Sequence, residues 1–558
     1  MTKQCIHCSK TFKVLEADMV FLQRLALPEP THCPDCRQQR RLAWRNEDSL
    51  YQRKCDKCKK TIISIYSDVV SFPVYCHDCW WQDDWSAVQF GRDINWQKPF
   101  FEQWYALMKQ VPHIALHVVA NEDADYVNMS GYNKHCYLLF AAEYNEDCLY
   151  GTQVIKSRSC VDVLNCTNSE RCYEAVDVEG CYNVLFSRNC QHCTDCYFCY
   201  DCKGCTDCLF SNNLRNQRYV IFNQVYSPNE FARKKERLLA KLYNGNSAEL
   251  ITLFKQHYQK AIHRPLETTR SEQAVGDYLT GCNNIYYGFD LTKAENCRYV
   301  YTGYQIKDLM DVCHTIEAEL SYEATATGYK SQRIFYSISA LTSNDCYYSD
   351  FIFSSKNIFG GIGLRNAQYC ILNKQYSKED YFKLKEKLIE HMKKNKEWGE
   401  FFPMQYSPYA YNETVAQRYY PLTKEAVLAK GLRWKEELTK SAKDHTRYNV
   451  ATSIDKINND ITKQILTCTV TEKQYRITNT ELDFYRTLKL PIPLLCPEER
   501  ARLRFAQRNK RQLWQRQCMC TQINHGHHGR CGNEFTTTYA PEQKELVYCE
   551  PCYQAIIY

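Results

Sequence analysis

Apolar residues recur every 12 positions between Cys136 and Val220, in the order Cys136, Cys148, Cys160, Cys172, Val184, Cys196, Cys208 and Val220. A second ladder keeps this period 150 residues later, with Tyr286, Arg298, Met310, Tyr322, Ile334, Cys346, Ile358 and Cys370. A fixed period signals stacked repeats. Twelve residues are too few for a helical hairpin, so each repeat predicts one small coil of a β-solenoid. Half a coil later a second column holds Val154, Cys166, Val178, Cys190, Cys202 and Leu214, then Tyr304, Ile316, Ala340, Ile352 and Leu364, with Gly328 as its one gap. Two apolar columns six residues apart predict two short strands facing each other across a thin core. Asn165, Asp177, Asn189, Asp201 and Asn213 form another column, of residue types that tolerate tight turns. Eight coils stacked at the interstrand spacing predict a rod roughly 35–40 Å long.

Each ladder ends in the same phrase: Leu214-Arg215-Asn216, Tyr219, Ile221, Asn223 and Tyr226-Ser227 recur as Leu364-Arg365-Asn366, Tyr369, Ile371, Asn373 and Tyr376-Ser377. Ser227 with Glu230 and Ser377 with Asp380 are N-cap signals, predicting amphipathic helices to about 243 and 395 that cover the open sheet edge. Arg215 and Arg365 are candidates either to bind an anion or to brace an acidic ladder such as that of Asp201. Aromatic-rich connectors over 86–112 and 396–450, with Trp96, Phe100, Phe101, Trp104, Phe401, Phe402, Tyr409, Tyr411 and Trp434, are expected to pack cysteine modules onto the solenoids.

The first 80 residues hold four Cys-x-x-Cys pairs. Zinc takes four soft ligands in a tetrahedron, so pairing in sequence order gives two sites: Cys5, Cys8, Cys33 and Cys36, then Cys55, Cys58, Cys76 and Cys79. Helices predicted over 37–46 and 80–85 follow the second pair of each, and a hairpin knuckle followed by such a helix is a treble-clef arrangement. The C-terminus repeats the layout. Matching Cys468 with Cys5 puts Cys496 on Cys33 but leaves Thr471 and Glu499 at two ligand positions, a degenerate site not expected to hold zinc. The fourth site is complete, with Cys518, Cys531, Cys549 and Cys552. An insertion between Cys518 and Cys531 adds Cys520, His525, His527 and His528, and Cys520 or one of these histidines is an alternative to Cys518 as fourth ligand. About three zinc ions are therefore expected.

Cys5-Ile6-His7-Cys8, Phe12, Phe21, Pro30 and Cys33-Pro34-Asp35-Cys36-Arg37 resemble the short "probable zinc-ribbon" family of bacteria. The wider layout, including Trp80-Trp81, Pro99-Phe100-Phe101 and the Leu-Arg-Asn and Asn-x-x-Tyr-Ser repeats, resembles uncharacterised zinc-ribbon proteins of candidate-phyla bacteria. The resemblance implies zinc and the fold, and supplies no mechanism.

Thirteen cysteines lie between 136 and 208, all in four columns of the 12-residue grid. Small apolar thiols pack well in a thin core. A metal or cluster at Cys190, Cys193, Cys202 and Cys205 is the alternative. The 558-residue chain is 44% hydrophobic with only 19 Gly and 16 Pro, which predicts several domains with real cores and excludes a low-complexity chain. No apolar run approaches about 18 residues and no signal-peptide pattern is present, so a soluble, cytoplasmic protein without membrane contact and with reduced thiols is expected.

Charge separates the functional readings. The net +7 conceals an acidic first solenoid, with 8 Lys/Arg against 14 Asp/Glu from 113 to 227. Basic residues gather beside the zinc modules: Arg37, Arg40, Arg41 and Arg45, then Arg500, Arg502, Arg504, Arg508, Lys510 and Arg511. These predict phosphate contacts with RNA or DNA, or with a ribonucleoprotein, and Trp44 or Trp514 could stack bases. An inward role against the acidic solenoid is the competing use. The leading expectation is thus a non-enzymatic, zinc-binding, nucleic-acid-binding protein. A protein-interaction scaffold built on the solenoids comes second and a metal-dependent enzyme third. No phosphate loop or nucleophile elbow is present. The expected fold is mainly β, with two 12-residue-repeat β-solenoids from a tandem duplication, flanked by treble-clef zinc modules and closed by capping helices. Its boundaries are 1–90 (paired zinc modules), 91–130 (connector), 131–227 (first solenoid), 228–270 (capping helix and linker), 271–377 (second solenoid), 378–455 (capping helix and connector) and 456–558 (degenerate and intact modules).

Overall fold

The computed structural model describes residues 1–558 except 246, 317–318, 324–325, 329–330, 437–449 and 523–524. Residues 437–449, within the expected 378–455 connector, and the side chain of Ile316, within the expected second column, thus lie outside the description. The described residues are mainly β with several helices and contain no closed barrel. None of their helices is long and apolar enough to cross a membrane. The chain divides into two compact units, residues 1–116 with 266–436 and residues 117–265 with 437–558. The N-terminal cysteine modules therefore fold with the second ladder, and the C-terminal modules with the first.

Strands of the first ladder pair in parallel at an offset of 12: Val154 with Cys166, Val178 with Cys190, and Cys196 with Cys208 and then Val220. The periodicity has a finer backbone basis than two facing strands. From Ala120 to Phe222 every third residue has a φ near +50° to +60°, including bulky residues such as Tyr150, Phe186 and Phe198, with Gly180 and Gly204 in the same series. Each non-glycine residue there carries a steric cost of roughly 1–2 kcal/mol. Hydrogen bonds to the preceding repeat offset it, as when Tyr132 N–H donates to Val119 O at 2.9 Å and Ser159 N–H to Glu146 O at 2.9 Å. Four such corners per repeat turn a side chain inward every three residues, so the core is lined by four columns, the two expected to face each other and the two others that hold the remaining cysteines.

This geometry explains the cysteines. The Cys148 thiol donates to Glu146 O and Ser157 O, both at 3.4 Å, and the Cys199 thiol to Tyr197 O at 3.5 Å and Cys208 O at 3.4 Å. Ser187, in the column of Cys199, makes the equivalent pair to Leu185 O at 2.8 Å and Cys196 O at 3.4 Å. The positions select a small side chain with one proton to donate. At Cys136 burial keeps the proton on the thiol, pushing it up to about 11.

The second ladder contains a slip. Pairing runs Cys297, Leu309, Ser321, Ile334, Cys346, Ile358 and Cys370, with Ser321 opposite Ile334. One repeat therefore has 13 residues. Tyr322 pairs with Phe335, so the ladder expected through Tyr286, Arg298, Met310 and Tyr322 sits one residue off the column that Ile334 continues. The expected gap at Gly328 has the same origin, since Gly328 pairs with Leu341 and Thr327 with Ala340. A second irregularity lies between Val275 and Gly276, where Gly276 has φ +155° and a Cβ would come within 1.8 Å of Gly288 O.

The closing phrases end each ladder in an antiparallel pair, Ile221 with Gln224 and Ile371 with Lys374. Helices Pro228–Tyr243 and Lys378–Lys394 follow, capped by the Ser227 and Ser377 hydroxyls. Phe231 packs on Tyr219 at 5.5 Å and Tyr381 on Tyr369 at 5.8 Å, seating each helix on its last repeat. Both connectors join the core of the first unit, where Trp104 lies 4.1 Å from Phe402.

Because the inner columns ask for a small proton donor, Cys199→Ser should cost under about 1 kcal/mol, whereas Cys199→Leu overpacks the column and should cost about 1–3 kcal/mol. Urea denaturation of the two variants checks this. Equal costs would contradict the donor role.

Candidate metal centres

Each complete cysteine module begins as a short antiparallel hairpin with the first cysteine pair at its tip: Thr2–Gln4 with Thr11–Lys13, Tyr51–Lys54 with Thr61–Ser64, and Trp514–Gln517 with Glu534–Thr537. The second pair opens a helix. Cys33, Cys76 and Cys549 are themselves the N-caps of Pro34–Leu42, His77–Trp81 and Glu550–Ile557. The first two helices start earlier than the expected 37–46 and 80–85, because the cysteines cap them. Free backbone N–H groups there favour a thiolate.

The four sulfur atoms of Cys5, Cys8, Cys33 and Cys36 lie within 4.8 Å of one another, as do those of Cys55, Cys58, Cys76 and Cys79, and of Cys518, Cys531, Cys549 and Cys552. A zinc–sulfur bond of about 2.3 Å sets tetrahedral S···S edges near about 3.8 Å. The edges Cys8–Cys33 at 3.7 Å, Cys58–Cys76 at 3.9 Å and Cys531–Cys549 at 3.9 Å fit that size. Backbone N–H groups point at the sulfurs, from Cys76 to Cys55 at 3.3 Å and from Cys549 to Cys518 at 3.2 Å. A hydrogen bond from the Cys36 thiol, opposed by burial, holds Cys33 down at about 5, an ionised ligand at neutral pH. All three sets can hold a metal ion, and their donor chemistry suits zinc.

Cys518 lies in the four-sulfur set with Cys531, Cys549 and Cys552. Cys520, His525 and His527 instead form a further group with Cys552, and His528 stays outside it, exposed. At the degenerate site the Thr471 hydroxyl lies 3.5 Å from Cys496 Sγ, and both oxygens of Glu499 are held by Arg502 at 2.7 Å. Burial pushes Cys496 up to about 11. Among the described residues Cys190, Cys193, Cys202 and Cys205 are not a metal-sized group, whereas Cys160, Cys166 and Cys172 are, buried in the same core. Three buried thiols without a fourth donor leave the packing account of these columns in place.

The arginines expected at phosphates point elsewhere. Arg37 and Arg41, one turn apart on Pro34–Leu42, reach Asp311 at 2.8 and 3.2 Å. Arg40 reaches Glu323 at 2.9 Å and Glu400 at 2.8 Å. Arg45 pairs with Glu47 at 2.7 Å. In the other unit Arg500 and Arg504, on Pro497–Phe505, converge on Asp162 at 2.6 and 2.7 Å, and Arg504 also reaches Glu174 at 3.2 Å. These six arginines are between 0 and 8% exposed, so they are not presented to a phosphate. The cause is the 12-residue grid. Asp311 and Glu323, like Asp162 and Glu174, occupy successive corners of one column, each with φ between 47° and 59°, and meet an arginine face spaced one helical turn. Arg508 pairs with Asp177 at 3.2 Å and Arg502 with Glu499, Arg511 is half-buried, and Lys510 is exposed.

Two more carboxylates, missed in the sequence, complete these clamps. Tyr299 OH donates to Asp18 at 3.3 Å beside Arg37, and Tyr150 OH donates to Glu481 at 2.7 Å beside Arg500. Burial raises Glu174 to about 7, although Arg504 opposes the shift. Burial also works against ionisation of Glu400, yet hydrogen bonds with His32 and the charge of Arg40 hold it down at about 2. The paired Arg215 and Arg365 are braces. Arg215 donates to both Asp201 oxygens at 3.0 Å and to Tyr553 OH at 2.7 Å. Arg365 donates to Gln82 O at 2.9 Å and stacks on Trp80 at 5.1 Å.

The comparisons match the chain to no protein-family model and to no curated protein. Function must therefore be argued from geometry alone. Besides the metal centres, the second unit contains a cavity of about 930 Å³, lined by Phe186, Ile251, Phe254 and Trp514 with Lys255 and Lys510.

Removing one partner of a buried ion pair strands the other charge at a cost of about 3–5 kcal/mol. Asp311→Ala should destabilise the first unit by about that much, measured by urea denaturation, while the exposed-pair variant Lys98→Ala should cost under about 1 kcal/mol. Acid is a second probe. Glu400 is depressed, so its stabilisation is full above about pH 4.5 and is lost as pH falls toward 2. Glu400→Gln should flatten that part of the first unit's stability–pH curve.

Proposed function

We propose that the protein is a zinc-stabilised, non-enzymatic scaffold in which treble-clef modules of the zinc-ribbon kind clamp two 12-residue β-solenoids, leaving the solenoid faces free to bind a protein partner. The inward turn of Arg37, Arg41, Arg500 and Arg504 onto solenoid carboxylates carries this reading. Their charge holds modules to solenoids and is not left over for a polyanion. The cysteine sets support a structural role for zinc, since each offers four protein ligands, whereas a catalytic zinc keeps a position open. The first solenoid also offers a face suited to a partner. Tyr132 and Tyr144 stack at 4.8 Å while 46 and 49% exposed, and Ile155 and Tyr182 are exposed as well. Aromatic side chains on an acidic surface favour a partner with a basic, apolar contact.

A nucleic-acid reading keeps one specific support. Trp514, Lys255 and Lys510 line the cavity of the second unit, and an aromatic ring with lysines in one cavity suits a base and its phosphates. Binding of a fluorescent mixed-sequence oligonucleotide to the whole protein, measured against salt, decides between the two. The scaffold reading expects a Kd weaker than about 100 μM even at low salt. Micromolar binding with a steep salt slope, lost in Trp514→Ala and Lys510→Ala, would replace it with the nucleic-acid reading.

A further inference from the structure

The last module differs from the other two complete ones in the length of its knuckle. Cys55 and Cys58 are separated by two residues, whereas Cys518 and Cys531 enclose twelve. That insertion does not merely loop out. It folds back so that Cys520 Sγ lies 3.4 Å from His525 Nδ1 and His527 Nε2 lies 3.6 Å from Cys552 Sγ. One donor atom from each of these four residues falls within 4.8 Å of the others. For bonds of about 2.3 Å to sulfur and about 2.0–2.1 Å to nitrogen, a tetrahedral S···N edge is about 3.6 Å. The spacing is that of a coordination shell.

We propose that the module holds two zinc ions bridged by the Cys552 thiolate, one completed by Cys518, Cys531 and Cys549 and the other by Cys520, His525 and His527. Three observations carry this. Cys552 belongs to both four-donor sets, and a thiolate has lone pairs for two metals. His527 Nδ1 lies 3.0 Å from Gly529 O, so its N–H donates there and the Nε2 lone pair is turned toward Cys552. Metal-bound histidines are fixed by such a bond from the other ring nitrogen. Cys520 is fully buried among the module's other cysteines, and Gly526 and Gly529, with φ of +74° and +67°, make the turns beside His525 and His527. His528, between these turns, is exposed and outside the set.

The half-exposed histidine side of the cluster makes the second ion the more accessible one to a chelator.

The inference rests on the four-cysteine sites holding zinc, and the test separates the two claims. Native mass spectrometry of the zinc-loaded full chain should give four zinc ions, falling to three in His525→Ala/His527→Ala and in Cys520→Ser. A value of three in the parent, unchanged in both variants, would overturn the second ion and leave the four-cysteine reading intact. Two or fewer in the parent would overturn both. Substitution with cadmium-113 tests the bridge independently of any variant's folding. Two mutually coupled resonances from this module are expected, and four bound ions without such coupling would overturn the shared Cys552.

Discussion

Asp311 and Asp162 are the points on which the two units turn. Each is a fully buried carboxylate at a left-handed corner, and each receives two arginines from one helix, capped by Cys33 in the first unit and by Cys496 in the second. Burying a carboxylate with guanidinium groups costs several kcal/mol of desolvation per ion and is repaid only if the geometry is held. The repeat supplies one half of that geometry, since a corner every third residue aims the carboxylate outward at fixed height. In the first unit the set of Cys5, Cys8, Cys33 and Cys36 supplies the other, since Cys33 and Cys36 lie at the N-terminus of the helix that carries both arginines. A metal ion held there would couple its binding to repeat packing through one interaction.

The same device is built twice. Matching Cys33 with Cys496 matches Arg37 with Arg500, Arg41 with Arg504 and Asp18 with Glu481, and Tyr299 and Tyr150 sit under the two clamps. The copy at the C-terminus keeps its clamp although two metal ligands have become Thr471 and Glu499. There Tyr485 adds a hydrogen bond from Arg500 at 2.9 Å and another to Glu481 at 2.7 Å. The duplicated arginine–carboxylate core, and not the metal alone, is therefore what both copies have in common.

Much of this was legible in the chain and some was not. Cys-x-x-Cys spacing located the ligand sets because a tetrahedral ion leaves few ways to space four thiolates. The 12-residue period gave the parallel offset of the first ladder because side chains stack on their own kind. It did not reveal the left-handed corners, since Tyr150 and Phe198 occupy positions that propensity would give to glycine or asparagine, and inter-repeat hydrogen bonds override the local cost. The thirteenth residue between Ser321 and Ile334 escaped because apolar residues on both sides of the slip keep a 12-residue pattern in the sequence. The arginines were misplaced for an electrostatic reason. A basic run beside an acidic repeat satisfies either an internal or an external partner, and only the column that sets Asp162 under Arg500 and Arg504 decides.

Coupling between metal and repeat is the central claim, and amide hydrogen exchange tests it most directly. The strands Leu149–Ile155, Val161–Thr167 and Tyr173–Glu179 pack against the Pro497–Phe505 helix, whose module lacks two of the four cysteines. Lys307–Met310 and Cys313–Ile316 flank Asp311, and Cys313–Ile316 packs against the Pro34–Leu42 helix. Stripping the metal with a chelator should raise exchange in Lys307–Met310 and Cys313–Ile316 by an order of magnitude or more, because release of Cys33 and Cys36 frees the helix that carries Arg37 and Arg41. Unchanged protection there after complete loss of zinc would contradict the account.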